Sequence, residues 1–250
     1  MNTTANTRIS AQTNAQTMPV PLFLDVVSLT MTLINIDADG GPDGSIADAI
    51  DATLRPLAHL RVDRVGDTVV ASTDDGHPER ILVTGRLDPR AGGDHPLAYV
   101  EMGRLFGPSA CRKGGMAVML KSAAAALPGR DVTFVFHGDE AGPEGVDVVG
   151  TDYSADCAAH CAADFAVLLG PTEARVEGTP HHLEHPAARR LLALTEAEPI
   201  APRGTSMTDL NVPSVGFGPG DPALARTPEE YVPTAQLTQC EFVLREWLRG

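Results

Sequence analysis

Three short apolar runs, Ile81–Thr84 (ILVT), Asp131–Phe136 (DVTFVF) and Phe165–Leu169 (FAVLL), stop at Gly85, His137 and Gly170 and are separated by helix-forming segments. Runs of this length without polar alternation are strands covered on both faces. Strands of that kind, alternating with helices, restrict the chain to an α/β fold: a three-layer sandwich around a mixed, mostly parallel central sheet. The intervening segments agree. Gly44–Leu57 places Ile46, Ala47, Ile50, Leu54 and Leu57 on one helical face behind Ser45 as an N-cap. Lys113–Leu127 becomes rich in helix formers once past its glycines, and Thr234–Leu248 is amphipathic. A small Ala-rich helix is expected around Ala155–Ala163. Arg61–Val65 and Thr68–Ser72 flank Gly66-Asp67 as a hairpin, and Val212–Val215 is a strand leading into the loop Gly216–Pro222 (GFGPGDP).

Composition narrows the function classes. With 19 Lys+Arg against 33 Asp+Glu, the formal charge of −14 repels nucleic acid and anionic membrane faces. The longest apolar stretch, Val20–Ile36, is broken by Pro21, Asp25 and Asn35, so no membrane span is expected. Residues 1–20 are read as a disordered N-terminal tail and 21–250 as a single domain. The four cysteines, Cys111, Cys157, Cys161 and Cys240, form no C-x-x-C pair, and a cytoplasmic location is the default.

In α/β proteins chemistry gathers where strands end. Four such places stand out: Gly85-Arg86-Leu87-Asp88, His137-Gly138-Asp139-Glu140, Gly170-Pro171-Thr172 and Gly216 through Arg226. In this order and spacing they resemble the zinc aminoacylase, carboxypeptidase and desuccinylase family of metallopeptidases, most closely its actinobacterial succinyl-diaminopimelate desuccinylase branch. That branch reads G-H-L-D, E-E, L-L-E-P-T and G-P-G-D-P-x-L-A-H; this chain reads GRLD, DEA, LLGPT and GPGDPALAR. GRLFGPSACRKGGMAVML is similar to the family's G-x-x-x-S-D-M-K-G-G segment and its following helix. The resemblance extends over nearly all of Asp25–Leu248 and implies a zinc-exopeptidase-like catalytic domain.

The family holds two zinc ions through two His, a bridging Asp and two Glu. At the matching positions this chain has Arg86, Cys111 or Arg112 across a one-residue deletion, Ala141, Gly170 and Arg226. Zinc needs about four N, S or carboxylate donors at ~2.0–2.3 Å, and a guanidinium offers no lone pair. The resemblance therefore implies no metal and no cofactor. The alternative is zinc on relocated ligands drawn from His137, Asp139, Glu140, Cys111 and Asp88. Two family carboxylates survive: Glu140 matches the general base, and Asp88 matches the carboxylate that orients the first His. Without a metal they need cations, since a buried unpaired charge is costly. Arg86 and Arg226 stand where that charge would be, with Arg112 beside them, leaving donors to fork onto a ligand carboxylate or amide carbonyl.

Two shortenings accompany these changes. The family's lid domain follows the E-G that matches Glu177-Gly178, and here only TPHHLEHP intervenes, so the lid is deleted near 178–186. His181, His182 and His185 in that scar are either a metal cluster or solvated loop residues. The shortening at Thr208–Asn211 removes a substrate-binding Arg of the relatives. Thr205 and Ser206, with Gly218 and Gly220, sit in loops whose backbone N–H groups face a ligand, unless their glycines are turn chemistry alone. Cys111 with His137 is either a thiol nucleophile and base or buried packing.

The expected function is a divergent relative of these hydrolases that binds a small carboxylated or amide metabolite in an Arg-lined cleft. Within it, Glu140 either moves protons in a cyclisation, elimination or isomerisation, or the site is silent. The alternatives are an active desuccinylase- or deacylase-type metallohydrolase, and a non-catalytic partner subunit that associates, with itself or another chain, through surface exposed by lid loss.

Overall fold

The computed structural model describes residues 18–38, 45–87, 97–127, 129–137, 162–203 and 212–250. A six-stranded sheet has the order β1(Arg61–Val65), β2(Thr68–Ser72), β6(Asp131–His137), β3(Arg80–Arg86), β7(Phe165–Leu168), β8(Ser214–Gly216). The hairpin β1–β2 is antiparallel and joins β6 antiparallel, while β6, β3, β7 and β8 run parallel. The fold is the α/β architecture expected, with a mixed, mostly parallel central sheet. A second sheet, β4(Tyr99–Glu101), β5(Arg104–Phe106) and β9(Tyr231–Pro233), was not foreseen. Its first two strands are joined across Met102 and Gly103, both in the left-handed region, which pairs Glu101 with Arg104.

Side chains alternate between two apolar layers. Val69, Ala71, Ile81, Val83, Val132, Phe134, Phe136, Phe165 and Val167 enter the large core shared with the helices. Val70, Leu82, Val135 and Ala166 form a smaller buried cluster on the opposite face. The helices are α1(Val26–Ala38), α2(Ser45–Leu54), α3(Ala110–Ala124), α4(Pro180–Leu183), α5(Pro186–Thr195) and α6(Thr234–Arg249), and α1, α3 and α6 pack on one another. Asp25 starts α1: its carboxylate accepts from the Val27 and Ser28 amides at 2.9 and 3.0 Å and from the Ser28 hydroxyl at 2.7 Å. These bonds, Ser28's foremost, hold Asp25 below the usual carboxylate pKa.

The chain passes from Glu177 through α4 directly into α5, with no domain inserted. Prolines build this passage rather than a loop, because Pro at the first helical position lacks only an amide that would have no partner. Thr179 caps α4 by accepting from the His182 amide at 3.3 Å, and His185 caps α5 by accepting from the Ala187 amide at 3.3 Å. The His185 ring stacks on Phe165 at 4.8 Å. Of the two expectations for these histidines, the metal cluster is not what the structure contains: His185 is a cap and a packing group.

The amino ends of the strands are clasped by polar groups. Asp131 is buried and accepts from the Thr73 hydroxyl at 3.1 Å and from the Asp75, Gly76 and His77 amides at 2.7, 3.1 and 2.9 Å, with Arg80 at 3.6 Å. Nearby, the Trp247 indole donates to the Ala187 carbonyl at 2.9 Å, meets Phe165 edge-on, and lies under the Arg130 guanidinium at 5.1 Å. No described helix is long and apolar enough to cross a membrane. The expected tail falls almost wholly outside the described residues, as does the helix around 155–163.

Candidate functional site at the carboxyl ends of the strands

Because β3 and β6 run parallel in register, Arg86 lies directly beside His137, and the Leu87 amide donates to the His137 carbonyl at 2.7 Å. The alternation that sends Val83 and Leu87 into the large core sends Arg86 to the opposite face, and His137 shares it with Val135. Both side chains are half-buried. On the other side of β3, the Leu169 amide donates to the Thr84 carbonyl at 2.7 Å, which brings Gly170 to the same end of the sheet.

The loop after β8 closes onto Gly170 with no room for a side chain: a Cβ on Gly218 would lie 2.4 Å from the Gly170 carbonyl oxygen. Thr172 fastens this contact, its hydroxyl accepting from the Gly218 amide at 3.0 Å. The Gly220 amide donates to Gln236 Oε1 at 2.8 Å. Both glycine amides are thus engaged within the fold, and the expectation that they face a ligand is corrected: these glycines serve close backbone packing. Gly220 has φ +92°, and a Cβ there would lie 2.3 Å from the Cys111 sulfur. Gly220→Ala is expected to cost about 2–3 kcal/mol through overpacking and backbone strain, read as a fall in denaturant midpoint at unchanged m-value.

Cys111 lies in the first turn of α3. Ser109, the N-cap, is left-handed and makes no side-chain cap bond. The cap comes instead from 119 residues away: Glu230 Oε1 accepts from the Cys111 amide at 2.9 Å, while Oε2 accepts from the Arg226 amide at 2.7 Å. A carboxylate at a helix N-terminus satisfies an orphan amide and the helix dipole together. The Cys111 thiol is fully buried, donates to the Tyr231 carbonyl at 3.4 Å, and has its pKa pushed far up by burial and by the charge of Glu230. It is a packed, protonated thiol, which removes the nucleophile reading.

Arg112 is half-buried and Lys113 fully buried beside it. Arg226 lies in the loop that follows β8. Its side chain is exposed, and its backbone has φ 67°, an uncommon conformation for a residue with a Cβ. The carboxylates inferred to pair with Arg226, Asp88 and Glu140, lie outside the described residues, as do Asp139, Ala141, Thr205 and Ser206. Glu230 is the functional candidate that sequence reading missed. Its one visible signal is a Glu229-Glu230 pair running straight into a strand, which says nothing of contacts so distant in sequence.

Among the described residues no group of three or more His, Cys, Asp and Glu is placed to hold a metal ion. Donor chemistry agrees: Arg86 and Arg226 lack lone pairs, the Cys111 thiol stays protonated, and each Glu230 oxygen accepts a backbone amide. The described donors do not fit a dinuclear zinc centre.

No family model matches the chain. A Mycobacterium tuberculosis protein named succinyl-diaminopimelate desuccinylase DapE is 31% identical over 156 residues, 61% of this chain and 44% of that protein. This chain therefore spans less than half the length of that relative. Among solved structures, the aminopeptidase PepT of Bacillus cereus superposes with a TM-score of 0.64 at 10% identity, covering 90% of this chain and 97% of that one. A Zn-dependent exopeptidase of Parabacteroides distasonis gives 0.58 at 15%, covering 93% and 100%. Over part of its length the chain is similar in sequence to a desuccinylase, and it shares the fold of these solved exopeptidase structures. For this desuccinylase-like chain, the expectation of no cofactor is overturned: its relatives point to zinc, whatever the arginines imply about the ligand set.

Proposed function

We propose that this chain takes a small, amino-acid-derived carboxylate or amide at the carboxyl ends of β3, β6 and β7. The observation that carries the reading is the in-register placement of Arg86 beside His137, half-buried on one face, with Gly170 across β3. Two groups able to donate hydrogen bonds, one a fixed cation, suit the planar, bidentate recognition of a carboxylate. Arg112 adds charge from the start of α3, and Arg226 supplies a cation at the rim. Kinship with a desuccinylase, whose named substrate joins a succinyl group to an amino-acid amine, supports the ligand class.

Binding of N-succinyl- and N-acetyl-amino acids, N-succinyl-diaminopimelate among them, tests the reading by calorimetry. Arg86→Met is expected to weaken the best of these ligands by about tenfold or more while leaving the melting temperature nearly unchanged, the loss of a charge-assisted hydrogen bond. An unchanged dissociation constant overturns it.

The same kinship favours a second reading, hydrolysis of the acyl amide as a desuccinylase- or deacylase-type enzyme. Zinc is the metal that reading requires, and its donors would come from His137 together with Asp88, Asp139 and Glu140. Metal content after chelator-free purification, set beside release of succinate or acetate with and without added zinc, decides it. Zinc-dependent release lost in Glu140→Gln supports hydrolysis, and no release under either condition defeats it.

A further inference from the structure

Resting on the carboxylate-binding reading above, we infer that Glu230 is a positioning residue, a single buried carboxylate that locks the Arg112-bearing start of α3 to the Arg226 turn. Only 5% exposed, it divides its oxygens between two segments distant in sequence: Oε1 to the Cys111 amide and Oε2 to the Arg226 amide. Its own backbone is set by a turn, the Glu230 amide donating to the Thr227 carbonyl at 3.1 Å.

Each partner amide sits one step from, or on, a cation of the proposed site. Cys111 precedes Arg112, and the Arg226 amide belongs to the arginine itself. Both segments are also held in unfavourable backbone conformations, Ser109 at φ 56° and Arg226 at φ 67°. Left-handed residues with a Cβ persist where surrounding contacts overdetermine them. Here Oε2 is one of the contacts that hold Arg226, through its amide, and the contact that replaces the missing Ser109 cap is Oε1. The two arginines are therefore registered to each other through one side chain, and the carboxylate of a ligand meets cations whose spacing Glu230 sets.

The test compares wild type, Glu230→Gln and Arg226→Gly by amide hydrogen exchange and by binding of N-succinyl-diaminopimelate. Gln keeps the shape of Glu230 but has one acceptor oxygen in place of two. Glu230→Gln is expected to speed exchange of the Cys111 and Arg226 amides together by about tenfold or more and to weaken the probe by a similar factor. Arg226→Gly, which suits a left-handed backbone, is expected to weaken the probe while leaving the Cys111 amide protected. Faster exchange with an unchanged dissociation constant makes Glu230 merely structural and overturns the inference, as does unchanged exchange.

Should Glu230→Gln fail to fold, wild type alone decides: saturating probe must slow exchange of both amides, and no slowing overturns the inference. Absence of probe binding by wild type overturns the carboxylate-binding reading itself and takes this inference with it.

Discussion

Asp131→Ala is expected to lower the unfolding free energy by about 3–5 kcal/mol, the range for removing one partner of a buried charge pair. The substitution removes the acceptor of three successive loop amides and of the Thr73 hydroxyl, and it leaves Arg80 without a buried counter-charge. Equilibrium urea denaturation at neutral pH measures the loss. The effect has a pH signature. Burial pushes the Asp131 pKa up, but the Asp75 and His77 amides, Thr73 and Arg80 outweigh it and hold the carboxyl below its ordinary value. A folded pKa below the unfolded one stabilises above the unfolded value, about 3.9, and the contribution fades as pH falls through the folded value. The gap between wild type and Asp131→Ala is therefore full at neutral pH and narrows at acid pH. A gap that does not change with pH contradicts the assignment.

Trp247→Ala is expected to cost about 3–5 kcal/mol, the range for truncating a large buried aromatic side chain. Trp247 is 1% exposed and joins three parts of the chain: Ala187 at the start of α5, Phe165 in β7 and Arg130 before β6. Truncation opens a cavity, strands the Ala187 carbonyl and leaves the Arg130 guanidinium, only 4% exposed, without its aromatic face. Trp247→Phe retains ring packing and removes the indole donor, so its cost is expected near 1 kcal/mol. Denaturant midpoints of the two variants separate packing from the hydrogen bond, and equal losses would show that the hydrogen bond dominates.

The strands that carry the candidate site were legible because they are buried on both faces, which forces long apolar runs; β3, β6 and β7 lie within about two residues of Ile81–Thr84, Asp131–Phe136 and Phe165–Leu169. The hairpin Arg61–Val65 with Thr68–Ser72 was legible for a different reason, a Gly-Asp turn flanked by β-branched residues. Strands β4, β5 and β9 escaped because three residues are too few to display a period, and their pairing is fixed by Tyr99, Phe106 and Tyr231 stacking across the sheet. Helices α4 and α5 escaped because Pro180 and Pro186 read as breakers, although each occupies the one helical position that favours proline. At the site, sequence gave Arg86 and its strand-end setting. It gave no hint that Glu230 reaches back to Cys111, since that depends on a contact between distant segments.

The face alternation of β3 and β6 limits how such a site can diverge over evolutionary time. Arg86 and Leu87 leave on opposite sides of the same ribbon, so deleting one residue anywhere in Ile81–Thr84 would bury the guanidinium and expel the leucine. Point replacement at the tip, by contrast, leaves the hydrophobic set undisturbed. Lineages built on this scaffold can thus exchange the chemistry of a tip freely while gaining or losing chain length only at connections.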